Sequence, residues 1–216
     1  LLAYCNVDPV PDKPENVIRL VCMSDTHGHH KKHKIPMADI FIHCNAHQII
    51  FLFSTSNQNI FLAGDFCNEG TEEEIDEFID FLKLLPHQYK IVIGGNHEVS
   101  LDPKCATFEL RQKTDPKPIP TDQIKQRLKD ACIYLEVIDS PPLNFINLFF
   151  LSGESTSILG LSFWASPTNI SMGAFGLPRG SARLKDKWKN IPSGIDILIT
   201  HGPPSGNFIV YSLLLF

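Results

Sequence analysis

The sequence predicts an α/β fold, in which apolar strands alternate with amphipathic helices and end in polar residues. Residues 17–23 form a nearly continuous apolar run, as expected for a strand covered on both faces. Helical spacing of apolar residues over 72–85 and a β-branched run over 89–93 follow. Strand, helix and strand in this order are typical of α/β proteins, whose ligands bind at the carboxyl ends of the strands.

Length and composition favour a globular protein with one sizeable domain. The chain has 216 residues, of which 43% are hydrophobic and 20% charged, and its net charge is −5. This acidic balance makes a nucleic-acid partner, and a nuclease activity, unexpected. The six cysteines are widely spaced and form no CxxC pair, so we expect reduced thiols and a cytoplasmic location. No apolar run reaches the ~20 residues of a membrane span, and no signal-peptide pattern opens the chain.

The first part of the chain leaves two alternatives open. Residues 1–16 contain three prolines and predict an irregular lead-in. The basic, histidine-rich stretch 29–34 predicts either a solvated loop or a surface that attracts a phosphate substrate. Two apolar segments, 38–43 and 59–63, compete as the strand that leads to Asp65.

Clearer element signals follow Asp65. Thr71 and Glu74 predict a capped helix start, and Pro86 ends that helix. Four prolines predict a loop over 102–120. The remaining predicted elements are a helix over 121–131, a strand over 134–136, a strand over 158–164, a helix over 182–189 and a strand over 196–200.

Four strand ends carry metal-ligand residue types, and glycine stands beside the polar residue in three of them. The four are Asp25-Thr26-His27, Gly64-Asp65, Gly95-Asn96-His97-Glu98 and Thr200-His201-Gly202. Taken singly, Asp25 could be a cap or turn residue, Asn96 a turn residue and His201 a loop histidine. Four such coincidences in order are far less probable than any one of them. Carboxylate, imidazole and amide donors without thiolate suit Mn, Fe, Zn or a similar divalent ion.

A pair of metal ions would give this constellation a hydrolytic chemistry. Asp65 is the only acid in its motif, which makes it the natural bridge between two ions. A two-metal centre polarises a phosphoryl group and generates hydroxide near neutral pH. His97, beside the presumed ligand Asn96, could donate a proton to the leaving oxygen.

These motifs resemble those of the metallophosphoesterases, or calcineurin-like phosphoesterases, and most of all the metallophosphoesterase domain-containing brain proteins. The resemblance spans roughly 17–204 and implies a β-sandwich flanked by helices in α-β-β-α layers. It further implies hydrolysis of a small phosphoester, with cyclic nucleotides as the substrate class. The implied ligands are Asp25, His27 and Asp65 for the first ion and Asp65, Asn96 and His201 for the second, with His97 as the catalytic acid.

The chain departs from the family pattern in three places. Residues of about 44–61 and 137–153 resemble insertions, and 205–216 resemble an unrelated apolar tail. We therefore expect the C-terminal part of the second sheet, and one further ligand, to be missing. From that expectation follows weak or absent activity. The alternative is a non-catalytic phosphate-binding, metal-binding or interaction protein on the same scaffold, and the sequence leaves the oligomeric state open.

Overall fold

The computed structural model describes residues 2–5, 12–43, 49–53, 59–62, 64–114, 117–136, 154–170, 173–189 and 191–202, with backbone alone for 2–5, 49–53, 59–62, 106, 114 and 154–155. The predicted insertion 137–153 and tail 205–216 therefore lie outside the described residues.

Within the described residues, ten strands form two sheets. The six strands of the first sheet are β1 (Leu2–Cys5), β2 (Ile18–Met23), β3 (Ile40–His43), β4 (Ile49–Phe53), β6 (Tyr89–Val92) and β7 (Ile133–Tyr134). The four strands of the second are β5 (Asn59–Leu62), β8 (Glu154–Ile158), β9 (Leu161–Ser166) and β10 (Ile197–Thr200). The strand orders are β1-β4-β2-β3-β6-β7 and β5-β10-β9-β8.

Parallel pairing runs through the centre of both sheets. In the first sheet β2, β3, β6 and β7 are parallel, and β4 joins β2 antiparallel. In the second sheet β5, β10 and β9 are parallel, while β8 pairs antiparallel with β9. Since parallel strands end at one edge of their sheet, the segments that follow β2, β6, β5 and β10 can meet there.

Helices cover the outer faces of the two sheets. The α-helices of the described part of the chain are α1 (Glu72–Leu84), α2 (Ala106–Thr114), α3 (Thr121–Ala131) and α4 (Ala182–Lys189). Phe78 of α1 and Leu128 of α3 pack on the first sheet, and Trp188 adjoins Trp164 and Leu198 of the second. A third apolar cluster joins both sheets and includes Leu20, Cys22, Ile42, Phe163 and Ile199. The α/β class and the α-β-β-α layers are thus as the sequence predicts.

Strand β2 shows why its sequence is apolar from Leu20 to Met23, after the single charged residue Arg19. Leu20 and Cys22 belong to the cluster between the sheets, whereas Val21 and Met23 belong to the cluster under the helices. Successive side chains of a strand point to opposite faces, so a strand between two apolar layers has no polar face.

Several elements differ from the sequence prediction. Segments 38–43 and 59–63 were predicted as alternatives for the strand that leads to Asp65. The structure contains a strand in each, β3 in the first sheet and β5 in the second, and β5 is the one that precedes Asp65. Within 44–61, β4 lies in the first sheet and most of β5 in the second. The lead-in 1–16 contains β1, which pairs with β4. The predicted loop 102–120 contains α2.

The single strand predicted over 158–164 is a hairpin. Leu159 and Gly160, with φ of +53° and +80°, turn the chain between β8 and β9. Gly160 was a signal for this turn, but it stands beside apolar Leu159 within a run that otherwise resembles one strand.

Candidate metal centre

The segments after β2 and β5 lie side by side and share backbone hydrogen bonds. The amide of Asp25 donates to the Gly64 carbonyl at 3.3 Å, and that of His27 donates to the Asp65 carbonyl at 3.2 Å. Gly28 continues the series, because its amide donates to the residue after Asp65 at 2.9 Å. Although the two motifs belong to strands of different sheets, they form one connected rim.

Three predicted residues come together at this rim. His27, Asp65 and His97 each offer a ligand atom, and these atoms all lie within 4.8 Å of one another. The rings of His27 and His97 meet edge to face with centroids 4.5 Å apart. Asp65 is buried, and its Oδ1 accepts the His97 amide at 3.0 Å. The cluster is a compact set of two imidazoles and one carboxylate.

Two backbone carbonyls orient the imidazoles of the cluster. Nδ1 of His27 donates to the carbonyl of Cys67 at 3.3 Å, and Nδ1 of His97 donates to that of Asn68 at 2.5 Å. A carbonyl oxygen only accepts, so each Nδ1 carries the proton and each Nε2 presents a lone pair. Metal-binding histidines are commonly held in this way.

Asn96 and His201 lie beside the same carboxylate. Nε2 of His201 donates to Oδ1 of Asn96 at 2.9 Å and lies 3.5 Å from Oδ1 of Asp65. His201 is buried, and its amide donates to the carbonyl of Ser166 at the end of β9. The residues predicted for a second ion are therefore neighbours, with Asp65 common to both groups.

Asp25 stands apart from the three-residue cluster. Its side chain is exposed, and its carboxylate accepts a hydrogen bond from the hydroxyl of Ser24. Its assignment as a ligand stays a prediction. Asp25, His27 and Asp65 all have positive φ, at +47°, +42° and +54°. Such backbone costs about 1–3 kcal/mol per residue and is concentrated at functional sites.

Two glycines let the loops after β5 and β6 touch. A Cβ on Gly64 would lie 2.7 Å from the Gly95 backbone and 2.6 Å from Nδ1 of His201. A Cβ on Gly95 would lie 2.4 Å from Oδ1 of Asp65. Any side chain at either position would therefore displace a candidate ligand.

Glu98 is a site residue to which the sequence interpretation gave no role. It is fully buried, and its carboxyl accepts the amides of Asp65 at 3.0 Å, Cys67 at 2.9 Å and Gly95 at 2.5 Å. Burial, and then the charge of Asp65, raise the pKa of Glu98 to about 8, although its three amide donors act in the opposite direction. The available sequence signal was the position of this acid directly after Gly95-Asn96-His97.

The basic stretch 29–34 is only partly solvated. His29 and Lys32 are exposed, but the His30 ring is buried between Phe78 and Phe81 of α1. The prediction of a solvated loop is therefore wrong for His30, because its ring fills space in the aromatic cluster under the helix.

A second buried histidine supports the rim from below. Nε2 of His43 lies 3.2 Å from the hydroxyl of Thr26, between Asp25 and His27. Burial, followed by the charge of His30, lowers the pKa of His43 to about 3, so the ring is neutral at pH 7.

The donors present fit divalent metal ions. They are imidazole, carboxylate and amide groups, which borderline ions such as Mn, Fe or Zn accept. Burial, and then the charge of Glu98, raise the pKa of the Cys67 thiol, so this neighbouring sulfur stays protonated. The imidazole of His27 and the shared carboxylate of Asp65 are donors of this kind, and His97 lies beside them without being an assigned ligand.

A two-sheet sandwich with helices on its outer faces and such donors at its strand ends defines an α/β scaffold with a candidate metal centre. The family model "Calcineurin-like phosphoesterase" matches residues 18–214. The chain belongs to this family.

Curated relatives agree with the family match. The chain is 34% identical over 212 residues to human "Metallophosphoesterase domain-containing protein 1", a match covering 93% of this chain and 54% of that protein. It is 33% identical over 204 residues to a UPF0046 protein of Caenorhabditis elegans, covering 91% of this chain and 44% of that one. The chain thus spans about half the length of these relatives.

In the part of the chain that the structure describes, no helix has both the length and the apolar character needed to cross a membrane.

Proposed function

We propose that this chain is a metal-dependent phosphoesterase that hydrolyses small phosphodiesters, with cyclic nucleotides as the candidate substrates. The observation that carries the proposal is the convergence of His27, Asp65 and His97 within 4.8 Å, from three separate loops of a phosphoesterase-family fold. The reducing, cytoplasmic location stays a prediction, with which the free state of Cys22, Cys67, Cys105 and Cys132 is compatible.

Asp25, His27 and Asp65 are the proposed holders of one divalent ion, and Asp65, Asn96 and His201 those of a second. When bound, the two ions supply Lewis acidity toward phosphoryl oxygens and a source of hydroxide near neutral pH. Asp65 is suited to bridging because its carboxylate is buried and adjoins both groups.

His97 is the proposed acid for the leaving oxygen. Its Nδ1–H is engaged by the Asn68 carbonyl, which holds the ring in one orientation and leaves Nε2 for the substrate. When protonated, Nε2 would transfer its proton to the departing alkoxide, which is the usual role of a positioned imidazole. The edge-to-face contact with His27 restrains the ring further.

The first test is hydrolysis of bis-p-nitrophenyl phosphate and of a cyclic nucleotide by protein loaded with Mn²⁺, with metal content measured by elemental analysis. We expect Asp65→Asn to lose both bound metal and turnover. His97→Gln should retain the metal and lose about 10²- to 10⁴-fold in kcat, as for a missing general acid. His33→Gln, at an exposed position, is the matched histidine control.

Wild-type protein that binds Mn²⁺ stoichiometrically but shows no Asp65-dependent turnover would contradict the enzymatic proposal. That result would favour the non-catalytic metal- or phosphate-binding alternative.

A further inference from the structure

The short segment 68–70, between the loop of Asp65 and helix α1, carries the group that orients His97. The carbonyl of Asn68 accepts Nδ1–H of His97 at 2.5 Å, so a movement of this segment moves the acceptor of the ring. A hydrogen bond weakens steeply when its angle departs from the optimum. The orientation of His97 therefore depends on how firmly segment 68–70 is held.

One carboxylate holds the amide side of the segment. Oε1 of Glu74 accepts the amide of Asn68 at 3.3 Å, and Oε2 accepts that of Glu69 at 2.9 Å. The same Oε2 accepts the amide of the N-cap Thr71 at 3.2 Å. A capping box requires only the contact with the N-cap, so the other two contacts of Glu74 exceed what capping needs.

Other elements hold the carbonyl side of the segment. Ser100 donates its amide at 3.2 Å and its hydroxyl at 2.5 Å to the carbonyl of Gly70. Arg111 of α2 donates Nη2 to the carbonyl of Glu69 at 2.7 Å and Nη1 to that of Gly70 at 3.4 Å. These donors reach the end of the segment next to α1, whereas the contact at the amide of Asn68 comes from Glu74.

The segment also packs directly against the backbone that carries His97. Gly70 has φ of +67°, and a Cβ at this position would collide with the carbonyl oxygen of His97 and the amide nitrogen of Val99. The ring of His97 and its acceptor therefore belong to two backbone segments in close contact. Their relative position is set by the backbone contacts and not by flexible side chains.

We propose that Glu74 is a positioning residue for His97. By holding the amide of Asn68, its carboxylate aims the Asn68 carbonyl at Nδ1 and keeps the neutral ring in the tautomer with the proton on Nδ1. Free histidine prefers the tautomer with the proton on Nε2, so a displaced acceptor would return the ring toward that form. The effect on turnover rests on the proposed function, whereas the tautomer is a property of the metal-free protein.

The test is ¹⁵N NMR of metal-free protein labelled at histidine, at an alkaline pH where the imidazoles are neutral, with His97→Gln identifying the signals. In the wild type, Nδ1 of His97 should have the shift of a protonated nitrogen and Nε2 that of an unprotonated one. Glu74→Gln leaves a single acceptor oxygen, which can serve the two amides on Oε2 but not that of Asn68. We expect the two His97 shifts to move toward each other in Glu74→Gln.

Turnover of bis-p-nitrophenyl phosphate by protein loaded with Mn²⁺ is the second readout. We expect Glu74→Gln to lower kcat about 10-fold, with unchanged KM and metal content, because a proton donor is misplaced. Glu73→Gln is the matched control, since it removes the same charge from an exposed position in the same turn of α1. It should leave the nitrogen shifts of His97 and kcat unchanged.

Thr71→Ala separates positioning from stability. It removes the hydroxyl that caps α1, while the backbone amide at this position still donates to Glu74. We expect a lower melting temperature with the nitrogen shifts of His97 unchanged. Equal changes of these shifts in Thr71→Ala and Glu74→Gln would overturn the proposal, because the effect would then follow the stability of the helix.

Unchanged nitrogen shifts of His97 in Glu74→Gln would also overturn the proposal. So would equal changes in Glu73→Gln and Glu74→Gln, because the charge of the helix start would then be the cause. Wild-type protein without Asp65-dependent turnover would contradict the proposed function alone, and the nitrogen shifts would still decide the role of Glu74.

Discussion

At the scale of single residues, Gly64 and Gly95 bring the loops of two different sheets into contact beside Asp65. The two positions differ in kind. Gly64 has φ of +113°, a backbone conformation that favours glycine, whereas Gly95 is required only by the space that Asp65 and His201 occupy.

This difference makes Gly95→Ala a purely steric test of the metal centre. The added methyl would lie 2.4 Å from Oδ1 of Asp65 and 2.6 Å from Cε1 of His201, so both side chains must move. We expect Mn²⁺ affinity to fall about 10- to 100-fold, as it does when the orientation of ligands is disturbed. Equilibrium dialysis with Mn²⁺ measures this.

Gly194→Ala is the control for the glycine experiment. Nothing lies within 4 Å of its added Cβ, but φ is +79°. We expect a loss of about 1–2 kcal/mol in the free energy of unfolding, from the left-handed backbone, with unchanged Mn²⁺ affinity. Equal affinities for Gly95→Ala and wild type would show that the loops adapt and that the contact is not required.

His30 should make the protein less stable in acid. Burial, and then the charge of Lys31, lower its pKa to about 4 from 6.5, while Glu77 acts to raise it and His29 to lower it. As the pH falls from 6.5 toward 4, the unfolded chain binds a proton that the folded chain does not. The stability that depends on the neutral ring is therefore present above pH 6.5 and is lost as the pH falls, with a slope of up to about 1.4 kcal/mol per pH unit.

Urea unfolding at pH 7, 6 and 5 measures the slope of the free energy of unfolding against pH. His30→Phe should flatten the slope, because Phe has no proton to bind and suits the contacts with Phe78 and Phe81. His33→Phe, at an exposed position, should leave the slope unchanged. If wild type and His30→Phe show the same slope of unfolding free energy against pH, the acid sensitivity belongs to other groups.

At the scale of elements, the start of α1 holds the segment that follows Asp65. Thr71 accepts the amide of Glu74, and Glu74 in return accepts that of Thr71, which is the capping box predicted from the sequence. The Glu74 carboxylate also accepts the amides of Asn68 at 3.3 Å and Glu69 at 2.9 Å. The helix cap therefore also orders the loop whose Asn68 carbonyl orients His97.

Thr71→Ala should lower the free energy of unfolding by about 1 kcal/mol, the usual cost of a lost N-cap. Thr107→Ala, the same change at an exposed position inside α2, should be neutral or slightly stabilising, because alanine has the higher helix propensity. Chemical denaturation of both variants measures the contrast. A smaller loss for Thr71→Ala than for Thr107→Ala would show that the capping box contributes nothing.

Elements with long, periodic apolar patterns were predictable from the sequence. Helices α1 and α3 begin and end within about a residue of their predicted bounds, since a face such as Ile75, Phe78 and Leu82 fits only one period. Strand β4 was not predicted, and β5 was predicted only as one of two alternatives for the strand before Asp65. Four or five apolar residues carry no period, and the pairing of such strands is decided by partners far away in the chain. Helix α2 was missed because its sequence is polar and lies among prolines.

At the scale of the whole molecule, the sequence predicted which residues form the candidate site better than it predicted the contacts that hold them. Polar residues at strand ends pointed to His27, Asp65, Asn96, His97 and His201, which the structure brings together. The sequence could not indicate that the amides of Asp65, Cys67 and Gly95 converge on the buried carboxyl of Glu98 beneath them. Such features depend on how loops from both sheets pack, which is decided by tertiary contacts.

The wide separation of the site residues along the chain has a consequence for the order of folding. His97 contacts Asp65 across 32 positions, and His201 contacts Asn96 across 105. Closing such loops is entropically costly, so these contacts should form only when the two sheets have docked. A bound ion would then slow unfolding of the finished fold without accelerating its early steps.

Refolding from urea in the presence of Co²⁺ can follow this order directly. The visible absorbance of bound Co²⁺ should appear with the slowest folding phase, after most of the far-ultraviolet circular dichroism has returned. Asp65→Asn should refold without this absorbance. Absorbance within the mixing time would instead mean that the loops of the site meet in the earliest collapsed chain, before either sheet is complete.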